Sequence, residues 1–136
     1  MSEFSDYYEN KIIDHLLRNQ AFTPPTTVYV ALFTAITGLE ANNPTAEVSG
    51  GSYARQPVTL TAASGGTSSN SGNITFPQAT ANWGVVSHVA LVDHLSNTSW
   101  GTNVNVLMWS ALDASKQIDS GDTFQINDGD LDVTVD

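Results

Sequence analysis

The sequence predicts a mainly β protein: a compact, antiparallel, jelly-roll-like β-sandwich preceded by one N-terminal amphipathic helix. Three observations lead there. Only 13% of the 136 residues are charged and 40% are hydrophobic; the polarity comes from neutral Thr, Ser and Asn, whereas a helical protein lines its wet faces with Lys, Glu and Arg. Past Pro24 and Pro25 the apolar pattern changes from a three-to-four-residue period to the alternation and short runs of strands. Clusters of Gly, Asn, Ser and Pro then break the chain at roughly the 8–12-residue spacing of a sandwich. The length suits a single domain, 1–136, with 1–20 as a helical segment and 21–136 as the β-sandwich body.

The elements follow in order. Over 5–19, Ser5 can cap a helix whose first turns hold Asp6 and Glu9, with Arg18 near its C-terminal end. Phe4, Tyr8, Ile12 and Leu16, joined by Ile13 and Leu17, form one apolar stripe that must be buried against something. Pro24-Pro25 ends this segment. Residues 28–36 (VYVALFTAI) are apolar on both faces, as in a strand buried in the sandwich or against a partner. A long loop is expected over 38–52. A strand follows over 53–62, which Pro57 confines to a sheet edge or a bulge. Residues 64–72 (SGGTSSNSG) read as an exposed, flexible loop. Further strands are expected at 74–76, 85–93 and 104–112. In 131–136 (LDVTVD) apolar and polar residues alternate strictly, which predicts one buried face and one wet face.

Fourteen acidic residues against four basic ones give a net charge of −10. That field repels phosphate backbones and anionic lipid, so neither nucleic acid nor a membrane is expected as a direct partner. The chain has no cysteine, hence no disulfide, thiolate nucleophile or Cys-based zinc site. It opens acidic and polar, unlike a secretory leader.

Catalytic chemistry finds little to stand on. The histidines are His15, His88 and His94, and only Asp93-His94 sets an acid beside a base. Nothing marks one serine as a nucleophile, because the strained Gly-x-Ser-x-Gly turn is missing. No catalytic residues are assigned. Asp119, Asp122, Asp128, Asp130, Asp132 and Asp136 crowd the C-terminal region and raise the question of calcium. The EF-hand glycine and bidentate glutamate are missing, however, and strand alternation by itself explains the spacing near the end. The expectation is therefore no metal and no cofactor, with weak calcium binding as the alternative. Gly50-Gly51 and Gly65-Gly66 lack the Lys-Ser/Thr of a phosphate loop. Trp83, Trp100 and Trp109, with Tyr29, Tyr53 and Phe76, offer either a stacking platform for sugars or packing anchors. Trp83 before Gly84 at a strand entrance favours packing.

A further pattern runs through the chain in order: Asp6-Tyr7-Tyr8-Glu9-Asn10-Lys11, Asp14-His15-Leu16-Leu17, Val28-Tyr29-Val30-Ala31-Leu32-Phe33-Thr34-Ala35, Gly51-Ser52-Tyr53-Ala54-Arg55-Gln56, Ile74-Thr75-Phe76-Pro77, Ala79-Thr80 to Trp83-Gly84, and Gly121-Asp122 before Thr123-Phe124. It resembles a family of small tailed-bacteriophage virion proteins, commonly labelled tail fibre proteins, to which capsid decoration or cement proteins are similar. It departs from them in the long 93–103 connection and the more acidic end. The resemblance implies a non-enzymatic virion structural protein. Strong negative charge is unwelcome beside packaged DNA. The first expectation is therefore a decoration protein cementing the outer surface of the major capsid protein shell. The alternative is a tail or tail-fibre component, with a carbohydrate-binding host-recognition module as a further reading. Expected partners are the major capsid protein or neighbouring virion subunits, and the chain itself, as a trimer rather than a dimer. The expected contact residues are Tyr8, Ile12 and Leu16 on the helix stripe, and Tyr29 and Phe33 on the strand that is apolar on both faces.

Overall fold

The structure, a computed structural model, describes residues 3–135. Its elements are β1 (Glu3–Phe4), α1 (Asp6–Leu17), β2 (Val28–Phe33), β3 (Gln56–Val58), β4 (Thr67–Ser69), β5 (Ile74–Thr75), β6 (Gly84–Val92), β7 (Val106–Ile118), β8 (Gln125–Ile126) and β9 (Asp132–Thr134). Five strands make one antiparallel sheet in the order β1-β7-β6-β2-β3, while β4 with β9 and β5 with β8 form two separate ribbons. The fold is mainly β with one helix, as the composition predicts.

Strand alternation divides the interior in two. Val30 and Leu32 of β2 and Val89 and Leu91 of β6 point to one face of the sheet. There they meet Ile74, Phe76 and Phe124, with Leu131 and Val133 packed alongside, so the two ribbons act as a second layer. The opposite face carries Ala31 and Phe33 of β2 and Ala90 and Val92 of β6. Among the described residues no second sheet covers it. Leu39 and Val104, from the loops after β2 and before β7, close that side. Burial on both faces accounts for the continuous apolar run of β2, and its own loops supply the cover. At Leu107 β7 has one residue in excess, since Leu91 pairs with Met108 and Val92 with Val106. The bulge lets Leu107 and Met108 both join the first cluster.

The loop after β2 is built to hold its shape. Gly38 has φ +80°, and a Cβ there would lie 2.0 Å from the Asn43 carbonyl oxygen, so only glycine fits. Asn42 is buried and reaches across: its Nδ2 donates to Asn105 Oδ1 (2.9 Å), and its Oδ1 accepts from the Val106 N–H (2.7 Å).

Several expectations change in detail. The strand begun at Val28 ends at Phe33 rather than at residue 36, because the Thr34 N–H bonds into the loop at Ala46. Residues 64–72 contain β4, which pairs with β9 from the far end of the chain. A low-complexity stretch thus becomes a strand because a partner supplies the ladder. Pro57 lies in β3, the edge of the main sheet, where its missing N–H costs nothing. In β9, Asp132 is exposed and Val133 half-buried, but Val135, just past the strand, is exposed; Asp136 lies outside the described residues.

Candidate functional site

The N-terminal segment is fastened at its root and open at its tip. Phe4 pairs with Met108 in the sheet. Ser5 is fully buried; its N–H donates to the Leu107 carbonyl (3.0 Å), its Oγ donates to the Val106 carbonyl, and the same Oγ accepts from the Tyr8 N–H (3.3 Å) as the helix N-cap. The Asp6 N–H is held by the Glu40 carbonyl at 2.9 Å. From there α1 climbs away from the body, and none of its twelve residues is buried. Tyr8 and Ile12 are half-buried, whereas Ile13, Leu16 and Leu17 are 50%, 70% and 80% exposed. The stripe expected to be buried is covered only at its base. A groove of about 320 Å³ runs beside it, lined by Phe4, Tyr8 and Ile12 facing Val28, Leu60, Leu91, Met108, Val133 and Val135. Burial raises the Tyr8 hydroxyl above its ordinary pKa, so it stays neutral.

Of the expected contact residues, Tyr8 and Ile12 line this groove and Leu16 stands on the open tip. Tyr29 is half-buried against the second cluster. Phe33 presents no surface: it is fully buried, with its ring centroid 6.2 Å from that of Trp100. The pattern that made Phe33 look like a contact residue comes from burial on both faces within this chain.

The acid–base pair does not assemble. Asp93 accepts from the Asn105 backbone N–H (2.6 Å) and Nδ2 (2.9 Å). His94 Nδ1 accepts from the N–H groups of Ser96 (3.1 Å) and Asn97 (2.9 Å), capping its own loop. His15 Nδ1 lies 2.9 Å from the Gln20 carbonyl oxygen, and His88 Nδ1 lies 2.8 Å from Ser87 Oγ. The C-terminal aspartates hold turns: Asp122 accepts from the Asp119 N–H, and Asp128 accepts from the Gly72 N–H. Among the described residues, the carboxylates of Asp6 and Glu9 at the start of α1 and of Glu40 in the loop after β2, all exposed, lie within 4.8 Å of one another. Burial, with the charges of Asp6 and Glu9, pushes Glu40 up from its ordinary value against the hydrogen bond from Trp109 Nε1 (3.0 Å).

A second constellation went unmarked in the sequence. Arg55 donates from Nε and Nη2 to the two oxygens of Glu47, both at 2.7 Å, and from Nη1 to the His94 carbonyl at 2.9 Å. The Tyr53 hydroxyl donates to Glu47 (2.9 Å) and accepts from the Leu32 N–H (3.0 Å). Burial and the Glu47 charge push the Tyr53 phenol far up. Burial alone would lower Arg55, but the Glu47 carboxylate outweighs it and holds the guanidinium above its ordinary value. A signal was present, since Arg55 is one of only four basic residues and stands in a strand region. Among the tryptophans, Trp83 is buried and donates from Nε1 to the Gly51 carbonyl (2.9 Å), while Trp100 borders the Arg55 cleft.

Among the described residues no helix is long and apolar enough to cross a membrane. No protein of curated function matches the chain. Over residues 3–134, nearly its whole length, it matches the family described as Podophage GP4 fiber I protein gp80. A match of that extent covers both layers of the fold and the N-terminal helix together, and so the chain belongs to this family of phage virion structural proteins.

Proposed function

We propose that the chain is a non-enzymatic structural subunit of a phage fibre, joined to neighbouring virion subunits through the open half of α1 and the groove beside it. The observation that carries this reading is a twelve-residue helix with no buried side chain. A helix that short is marginal in water and depends on packing. Covering Leu16 and Leu17 would stabilise an assembly by about 1.5–3 kcal/mol per side chain. The family description names a fibre, which sets this reading ahead of a decoration protein on the major capsid protein shell. That second reading keeps one support, the −10 charge that suits an outward-facing surface. The self-assembly we expect is a homo-oligomer, a trimer before a dimer, because closed rings of identical chains satisfy a symmetry axis.

A density map of the intact particle tests the location. Density for this chain in a tail appendage supports the fibre reading, and density spread over the shell overturns it in favour of the decoration reading. Sedimentation of the purified chain tests the oligomer. A monomer at micromolar concentration, together with a monomeric unit on the particle, would overturn that part.

A further inference from the structure

We propose that the apolar groove beside α1 is filled, in the assembled protein, by the tip of α1 from a second copy of this chain. The proposal rests on the reading of α1 as the contact element and names what sits in its groove. The groove holds about 320 Å³, and of its ten lining side chains only Tyr8 carries a polar group. Leu91, Leu107 and Met108 are its buried floor, while Leu60 and Val133 are half-buried and Val135 is 52% exposed at the rim. Val135 is held in place by its N–H, which donates to the Gly66 carbonyl at 2.8 Å. Such a lining offers nothing to an ion or a hydrated ligand, because a polar group buried there stays unpaired. Its occupant has to be apolar.

Two observations choose the occupant. The first is shape. Ile13, Leu16 and Leu17 share one side of the free end of α1 and are 50%, 70% and 80% exposed. The helix cannot turn this tip back into its own groove, since Leu16 lies about 6 Å beyond Ile12 along a continuous helix, past the lining residues. A neighbour's tip can enter. The second observation is charge. Residues 10–20 hold Lys11 and Arg18 against one acid, Asp14, whereas the rest of the chain holds thirteen acids and two bases. One of those two bases, Arg55, is buried against Glu47. The root of α1 has the opposite sign, with the exposed carboxylates of Asp6, Glu9 and Glu40 within 4.8 Å of one another. Copies packed head to tail set the tip of one, with Arg18, beside the acidic root of the next; parallel helices would set acids against acids. The Arg18–Asp14 pair does not hinder this, because both side chains are exposed and such pairs are weak. Apolar burial carries the contact, and the charges choose its direction. One tip and one groove per copy also let the contact repeat around a closed ring.

The chain has no cysteine, so introduced cysteines report the contact. Two full-length variants, Leu17→Cys and Val135→Cys, replace exposed side chains and should fold normally. Given tags of different size, they are mixed at about 100 μM and oxidised with copper phenanthroline. We expect the disulfide between the two variants to exceed either self-linked product at least about tenfold, because a disulfide needs Cβ atoms about 3.8 Å apart and the tip meets the groove rim, not another tip. Val135→Arg sets a cation at the rim against the incoming Arg18, and should weaken self-association in sedimentation about tenfold or more at an unchanged melting temperature. If Leu17→Cys links chiefly to itself, or if Val135→Arg associates like the natural protein, the proposal falls while α1 stays the contact element. A natural chain that stays monomeric, with no cross-link between the variants, overturns it in favour of a different virion subunit in the groove. Assembly that survives Leu16→Asp with Leu17→Asp removes α1 itself, and with it the reading on which the proposal rests.

Discussion

Among single residues, Ser5 bears most on how the helix is held. It caps α1, ties the chain to Leu107 through its N–H, and donates its hydroxyl to the Val106 carbonyl from a fully buried position. Ser5→Ala removes the cap acceptor and the buried donor together, and should cost about 2 kcal/mol. Denaturant unfolding reads this as a lower midpoint at unchanged slope; an unchanged midpoint would show that the cap is dispensable. His88 carries a pH dependence. Its half-buried ring is pushed below its ordinary pKa by burial, so in acid the folded state binds fewer protons than the unfolded one. Its contribution to stability is therefore complete above the unfolded pKa of about 6.5, and is lost as pH falls through that value toward the lowered folded one. The melting temperature of the natural protein should fall more steeply between about pH 7 and pH 5 than that of His88→Gln. Parallel slopes would contradict this.

At the scale of elements, α1 separates packing within the chain from packing between chains. Replacing Leu16 and Leu17 by Asp touches only exposed positions and should change stability by no more than about 0.5 kcal/mol, while abolishing self-association in sedimentation. Ile12→Asp differs, because Ile12 is half-buried in the groove. A charge there lacks a partner and should cost about 2 kcal/mol as well as association. If the double variant still assembles like the natural protein, the open half of the helix is not the contact. The segment before residue 20 is not a detachable arm. It includes β1, an edge of the main sheet, and Ser5, which is bonded to β7, so its removal would strip an edge from Met108 and Trp109.

At the scale of the whole molecule, the −10 charge opposes association of identical copies. If apolar side chains such as Leu16 and Leu17 carry the contact, raising salt from about 0.1 M to about 1 M shortens the screening length from about 10 Å to about 3 Å and should strengthen self-association. A contact carried by ion pairs would weaken instead. Sedimentation across the two salt concentrations distinguishes them by sign alone.

What the sequence determined by itself was local. The helix and its Ser5 cap, the strand starting at Val28, the edge placement of Pro57 and the mainly β class all follow from the conformational preferences of neighbouring residues. The tertiary structure decided whatever depends on a partner far along the chain. The polar run around Thr67 became a strand because β9 offered a ladder. Phe33 became interior because Leu39 and Val104 closed the second face of the sheet, and the tip of α1 stayed open because no loop of the described residues buries Leu16 and Leu17. Glu47, Tyr53 and Arg55 came together as one half-buried network with the His94 carbonyl because the loop leading into β3 and the loop after β6 converge there. Hydrophobic period and turn chemistry act over a few residues, whereas burial and pairing act across the fold, and no spacing in the sequence encodes them.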